Sequence, residues 1–315
     1  MDVVDTRLER ILSAAGDAPS VLNTQPWQVE VADGTVRIRA DRSRQLRHAD
    51  PHGREMLISC GAFLFNARAA ARRESLNTVA TLLPDPDDEL LVAELTLEPG
   101  DDPSEDELEL SVAIGHRVTA RVPFDDQPVR SDVLVAVQRA ADREGAGLRT
   151  IQPTDPDRPK VLELVRRAEA IAAEDLAGRD EEAAWTTAGP GRDDGIPTPY
   201  LGRAPSNADA PARRFHESAG REPFERDSTL AVLSTPGDSP RDWVMAGQAL
   251  EHALLVAATY FVHASFATTV LENPTTRHDL RRALGLGGYP QMLLRLGNIP
   301  WPEHAPRRPL GTTAS

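Results

Sequence analysis

Three short groups of residues have the types and spacing to hold an anionic heteroaromatic ligand. The first is APSVLNTQPW, Ala18 to Trp27. Pro19 stiffens a turn there, and Ser20, Asn23 and Gln25 supply a hydroxyl and two amides. An amide side chain donates and accepts at once, which suits a ring bearing carbonyls and nitrogens. An Asx-type turn with no ligand accounts for the same residues equally well. The second group is HRVTARVPF, His116 to Phe124, with Arg117, Thr119 and Arg121 at every other position. Two guanidiniums and a hydroxyl can neutralise and hydrogen-bond a phosphate; a solvated basic turn is the plainer alternative. The third is the pair Arg307-Arg308 in PRRPL. It reads either as a further phosphate contact or as a charged tail.

The bulk composition makes those arginines informative. The chain has 315 residues and a formal net charge of −14. A field of that sign repels phosphate backbones and anionic lipid, so neither nucleic acid nor a membrane is expected as a partner. An anionic cofactor therefore needs a local basic pocket. Aromatics make up 4% of the chain, too few for a base-stacking platform. Hydrophobic residues make up 40%, enough for a sizeable core. One cysteine, Cys60, excludes an internal disulfide and a cysteine zinc site and suits a reducing cytoplasm. The opening MDVVDTRLERIL carries early acids and no long apolar run, so no signal peptide is expected. The apolar stretch Ala253 to Ala258 is too short to span a bilayer.

Other candidates fail on local grounds. His48 and His52 have Pro51 between them, which spoils a helical metal pair. His252 and His263 read as isolated residues on one long helix. Gly285, Gly287 and Gly288 have the wrong spacing for a dinucleotide turn and follow a helix rather than a strand.

The elements that position the three groups follow from periodicity. Leu8, Ile11, Leu12 and Ala15 share one helical face before Gly16. Gln28–Val31 and Val36–Ala40 read as strands joined at Asp33-Gly34, a strong hairpin signal. Glu55–Arg73 reads as a long helix with a small-residue face, and Thr78–Leu83 and Leu90–Leu97 as strands. From Leu110 the pattern starts again. A helix is expected to begin at Ser111–Ile114, with helices at Asp132–Glu144 and Arg158–Asp175 and a strand at Leu148–Ile151. Trp185 to Arg226 has no period and is rich in Gly, Pro, Asp and Arg; a stretch of that length is a functional lid or disordered. Thr229–Ser234 and Met292–Leu296 read as strands, Asp242–Phe266 and Arg277–Leu284 as helices, and the tail as polar.

One internal similarity spans the chain. Aligning Gly61 with Gly247 pairs Leu64 with Leu250, Ala67 with Ala253 and Ala71 with Ala257, an offset of 186 (247 − 61). Leu8, Ile11 and Leu12 align with Leu134, Val137 and Gln138 at an offset of 126 (134 − 8). The difference of 60 (186 − 126) is an insertion in the second copy. Shared alanine-rich composition is the alternative explanation.

Pro19, Ser20, Asn23, Gln25, Pro26 and Trp27 resemble the Pro-Ser-x-x-Asn-x-Gln-Pro-Trp flavin-contacting loop of the nitroreductase superfamily. Val21 departs from it, since many members have a small polar residue there. Arg117, Thr119 and Arg121 are similar to the Arg-x-Ser-x-Arg-x-Phe signature that grips the FMN phosphate, with Thr119 for Ser and an extra residue before Phe124. Arg307-Arg308 resembles the basic pair that closes over that phosphate near the C-terminus. The segments at Gly191–Gly202, Ser234–Ala258 and Arg281–Gly297 look like those of the Acg-like family, and the resemblance covers nearly the whole chain.

The resemblance implies an α+β, nitroreductase-like fold in two fused halves, each a mostly antiparallel sheet flanked by helices. The halves are expected at 1–108 and 109–315, with a lid at about 185–226. Ordinary members are homodimers with FMN at the interface. Here the loop occurs in the first half and the arginine motif in the second, so a monomeric pseudo-dimer with one flavin site is implied. The implied function is NAD(P)H-dependent reduction of nitro- or quinone-type acceptors through FMN, with no side chain named as acid or base. A flavin-sequestering protein with a closed lid is the alternative.

Overall fold

A computed structural model describes residues 3–32, 34–186, 192–207, 210–215, 220–299, 303–310 and 312–314. Asp33 of the expected hairpin turn and parts of the 185–226 stretch lie outside the described residues.

Helix α1 (Val3–Gly16) buries Ile11, Leu12 and Ala15 along one face. Strands β1 (Trp27–Ala32) and β2 (Thr35–Ala40) then pair antiparallel, from Trp27↔Ala40 to Ala32↔Thr35. Gly34 sits in the turn at φ +75°, a conformation that glycine adopts without penalty. Helix α2 (Arg54–Arg73) is buried over most of its length. Strands β3 (Leu76–Leu82) and β4 (Leu91–Pro99) follow, then α3 (Glu105–Ala113), which opens on a capping box of Ser104 and Glu107. The helix expected to begin at Ser111 instead ends close to it.

The chain continues through α4 (Ser131–Arg143), β5 (Gly147–Ile151), α5 (Arg158–Glu174) and α6 (Leu176–Thr186). Two-residue strands β6 (Ala204–Pro205) and β7 (Arg221–Glu222) pair within the irregular stretch. Then come β8 (Thr229–Thr235), α7 (Pro240–Thr259), β9 (His263–Phe266), α8 (Thr269–Glu272), α9 (Pro274–Ala283), β10 (Tyr289–Gly297) and β11 (Thr312–Ala314). The helix expected to run to Phe266 stops at Thr259. Phe261 turns left-handed at φ +59°, and Val262 N–H donates back to the Ala257 carbonyl. His263 is therefore a strand residue, not a helical one.

Two main sheets result. One has the order β11-β1-β2-β4-β3, the other β5-β8-β10-β9. Matching β1, β2, β3 and β4 to β5, β8, β9 and β10 gives one strand order, antiparallel throughout. The connection from β1 to β2 is a tight turn, whereas residues 152–228 separate β5 from β8. Strand β11, from the end of the chain, lies parallel beside β1. The second sheet is covered on both faces: Ala231, Leu233 and Leu294 face one core cluster, while Leu230, Val232 and Leu293 face another. That explains the run Leu230 to Leu233 in β8, which is apolar throughout rather than alternating.

Helices α2 and α7 cross between the sheets. A Cβ on Gly61 would lie 2.2 Å from the Val244 carbonyl oxygen and 3.0 Å from Gly247 Cα. A Cβ on Gly247 would lie 2.0 Å from the Ile58 carbonyl oxygen and 2.8 Å from Gly61 Cα. The two glycines aligned by the sequence repeat thus meet each other. Among the described residues no helix is long and apolar enough to cross a membrane.

Candidate functional site

The loop after α1 is held in a bent form by its own side chains. Ser20 Oγ accepts from Gln25 N–H at 2.9 Å, and Asn23 N–H donates to the Ser20 carbonyl at 3.0 Å. Leu22, Asn23 and Gln25 all have positive φ, at 44°, 55° and 49°. Asn visits that region readily; Leu does not. Leu22 is kept there by burial against Leu46, Ile196 and Leu201. Val21 N–H donates to Ser59 Oγ at 3.3 Å, and Ser59 Oγ donates to the Glu55 carbonyl at 2.7 Å, which ties the loop to α2.

The arginine segment is sewn beside β9. Thr119 bridges Ala264 in parallel, and Ala120 N–H donates to the Ala264 carbonyl at 2.8 Å. Arg117, 3% exposed, places Nε 3.4 Å from Glu251 Oε1 and donates from Nη2 to the Asp17 carbonyl. Arg307 donates to that same carbonyl at 3.1 Å and to Asn23 Oδ1 at 3.1 Å. The loop, the arginine segment and the tail, distant in sequence, converge here. Asn23 joins a fourth segment to them: its Nδ2 donates to the Gly195 carbonyl at 2.7 Å and the Pro306 carbonyl at 3.0 Å.

Two cavities adjoin at this junction. A polar pocket of about 320 Å³ is lined by Asn23, Arg117, Arg121, His304 and Arg307, among others. A larger, mostly apolar cavity holds about 890 Å³ of free space, counted out to its mouth. Pro19, Ser20, Thr119 and Arg121 line both. Of the residues singled out in the sequence, Pro19, Ser20, Asn23, Arg117, Thr119, Arg121 and Arg307 are brought together. Gln25 and Arg308 line neither cavity. Arg308 N–H donates to Gln25 Oε1 at 2.8 Å, and its guanidinium donates to the carbonyls of Gln25 at 3.0 Å and Trp27 at 2.8 Å. Gln25 Nε2 donates to the Asp193 carbonyl at 2.9 Å. Both side chains are spent on backbone left bare by an irregular loop, so the expectation that they contact a cofactor does not match the geometry.

The polar pocket is lined by three guanidiniums and by one carboxyl, that of Glu303. Three guanidiniums converge, and among the described residues Glu251 alone gives them a carboxylate oxygen within ion-pair reach. Burial pushes the Glu251 pKa up to about 7, against the pull of Arg117. Burial, then the Arg117 charge, lowers both Arg121 and Arg307 to about 10. Burial and the same guanidinium lower His263 to about 4, so it sits there neutral. Arg121 makes one long contact, from Nη1 to the Tyr200 carbonyl at 3.4 Å. A dianion in this pocket would supply what the surroundings lack.

No family model matches the chain. It is 31% identical over 306 residues to Acg of Mycobacterium tuberculosis, named among the NAD(P)H nitroreductases, covering 93% of this chain and 90% of Acg. The chain belongs to the nitroreductase superfamily, in its Acg-like branch. A second M. tuberculosis protein so named is 29% identical over 296 residues, covering 92% of this chain and 84% of its own. A solved structure described as a nitroreductase from Anabaena variabilis aligns with 93% of this chain and 88% of its own. Its TM-score is 0.52 at 11% identity, a likeness of fold.

In this nitroreductase-like frame, sequence reasoning missed much of the larger cavity. Glu55, Ile58 and Ser59 of α2 line one wall, and Ser265 and Phe266 of β9 another. An acid in the first turn of a helix reads as an ordinary dipole partner, so Glu55 gave no signal. The roof comes from the stretch between β5 and β8: Ile196, Leu201, Arg203, Arg213, Phe215 and Phe224. That stretch is anchored to the N-terminal region by the Arg44–Asp194 pair at 2.7 Å. Glu181 of α6 adds hydrogen bonds from the backbone N–H groups of His48 and Ala49, each at 3.0 Å.

Proposed function

We propose that the chain is an FMN-dependent oxidoreductase of the nitroreductase superfamily, reducing nitro- or quinone-type acceptors with NAD(P)H. The observation that carries this reading is the polar, guanidinium-lined pocket opening into a large apolar cavity. Arg117, Arg121 and Arg307, with the Thr119 hydroxyl, would hold the phosphate. Pro19, Ser20 and Val21 would wall the ring. When bound, FMN supplies the hydride exchange between nicotinamide and acceptor. The protein's own part is to orient the ring and keep water from it with Ile58, Leu201, Phe224 and Met292. In this reading the chain is two fused halves, 1–108 and 109–315, acting in the cytoplasm as a monomer with one flavin. The shared strand order and the Gly61–Gly247 crossing support it.

A second reading is a flavin-sequestering protein of low turnover. It is favoured by the roof: Ile196, Leu201, Phe215 and Phe224 belong to the stretch expected as a lid at about 185–226, which would deny a nicotinamide the flavin face. Anaerobic titration separates the two. Bleaching of the protein-bound flavin by NADPH supports the oxidoreductase. Bleaching by dithionite alone contradicts it and leaves the sequestering reading.

A further inference from the structure

At the α2 wall of the large cavity stands Glu55, a buried carboxyl that the proposed hydride chemistry does not use. It is 4% exposed. Its Oε1 accepts from Arg54 Nη2 at 2.7 Å. Arg54 is itself fixed, donating from Nη1 to the Gln291 carbonyl at 2.6 Å. Among the described residues Oε2 has no hydrogen-bond partner, and the Glu55 side chain lines the cavity. The cavity wall is mostly apolar, with Ile58, Leu201, Phe215, Phe224 and Met292, though Arg121, Arg203 and Arg213 also line it.

A bare carboxylate oxygen facing such a lining is costly, whereas a protonated one is a hydrogen-bond donor in search of an acceptor. The charges nearby are divided. Arg54 and Arg213 favour the ionised form; Asp50 and Glu272 oppose it. Arg213 is already shared, with Glu182 Oε2 at 3.0 Å and with Glu272, and Glu169 lies close enough to feel its charge. Burial dominates and raises Glu55 to about 8.

We propose that Glu55 anchors a ligand subsite, donating a hydrogen bond from protonated Oε2 to a carbonyl-type oxygen on a planar ring. Two sources supply such an oxygen: the flavin's own ring carbonyls, or a second planar ligand of quinone type lying in the same cavity. The first source rests on the flavin reading; the second does not.

The test compares wild type, Glu55→Gln and Glu55→Ala at about pH 6.5 and about pH 9.5, on either side of the Glu55 titration. FMN affinity is read from flavin fluorescence. Affinity for 1,4-naphthoquinone is read from tryptophan quenching, on both apo and FMN-loaded protein. Circular dichroism checks that each variant is folded. For the ligand that Glu55 touches, wild type loses about tenfold in affinity at the higher pH, the worth of one hydrogen bond. Glu55→Ala shows the loss at both pH values. Glu55→Gln, which keeps an N–H donor, shows it at neither. The loss appearing with FMN assigns the oxygen to the flavin; appearing with the quinone, it assigns it to a second ligand. Affinities that ignore pH and Glu55→Ala for both ligands overturn the proposal, as does a folded Glu55→Gln as weak as Glu55→Ala, or binding of neither ligand. A wild type that binds the quinone but no FMN defeats the flavin reading alone, and the quinone arm on apo-protein still decides the role of Glu55.

Discussion

Arg121 and Arg117 face one pocket with different structural ties. Arg121 has a single long contact, to the Tyr200 carbonyl, so Arg121→Ala should cost little stability. It should weaken FMN binding by about 1.5–3 kcal/mol, one charge-assisted hydrogen bond. Arg117 also balances Glu251, so Arg117→Ala strands a buried carboxyl and should lower Tm as well as affinity. Thermal melts and FMN titrations of the two single variants check this. Equal stability losses would contradict the assignment. Glu251 adds a pH signature. Its folded pKa of about 7 lies above the unfolded value of about 4.3, so the folded chain keeps a proton that the unfolded chain has released. Its effect is to make stability fall as pH rises between those values and then level off. The Tm of apo wild type should therefore drop more than that of Glu251→Gln from about pH 5 to about pH 8. Parallel curves would refute the raised pKa.

At the level of elements, the α2–α7 crossing is the joint on which the two sheets are set. Gly61→Ala must push a methyl into the Val244 carbonyl, 2.2 Å from where its Cβ would sit. Overpacking of that kind costs about 1–3 kcal/mol or more, and the cost here falls on backbone that cannot swing aside. Chemical denaturation should show it, with Ala67→Gly, in the same helix but away from the crossing, as the comparison. The sequence carried the pairing of Gly61 with Gly247 as a repeat and a small-residue face on α2, but not the contact between them, which needs the two helices brought together. The hairpin at Gly34 and the apolar run of β8 were legible for local reasons. Helix α3 carried its signal in Ser104 and Glu107, and the capping box was overlooked. The end of α7 carried none: Tyr260, Phe261 and Val262 continue the apolar run, and a non-glycine residue makes the left-handed turn. Helix α6 is charge-rich without a clear period. Strand β11 pairs three residues with a partner near the other end of the chain, a contact that no local pattern encodes. For the site the same division holds. The Asn23 loop and the arginine motif are contiguous and were found. Glu55, Ser265 and Arg213 meet only in three dimensions.

The molecule as a whole draws its site from four distant segments that meet around Asn23. The C-terminal tail supplies both Arg307 and β11, so deletion of residues 303–315 should lose FMN affinity and also loosen the first sheet. Hydrogen exchange in β1 reports the loosening. Retained flavin with an unprotected β1 would separate the two roles and contradict their coupling. In the proposed site a phosphate is clasped by Arg117, Arg121 and Arg307 beside a ring cavity. Side-by-side equilibrium titration of the apo-protein with FMN and riboflavin, which differ only in that phosphate, tests it most directly. Two charge-assisted contacts are worth about 3–6 kcal/mol, and each 1.4 kcal/mol is about tenfold. FMN should therefore bind at one per chain, at least about a hundredfold tighter than riboflavin. Equal affinities, or no binding of FMN, would rule out a phosphate clasp at these arginines.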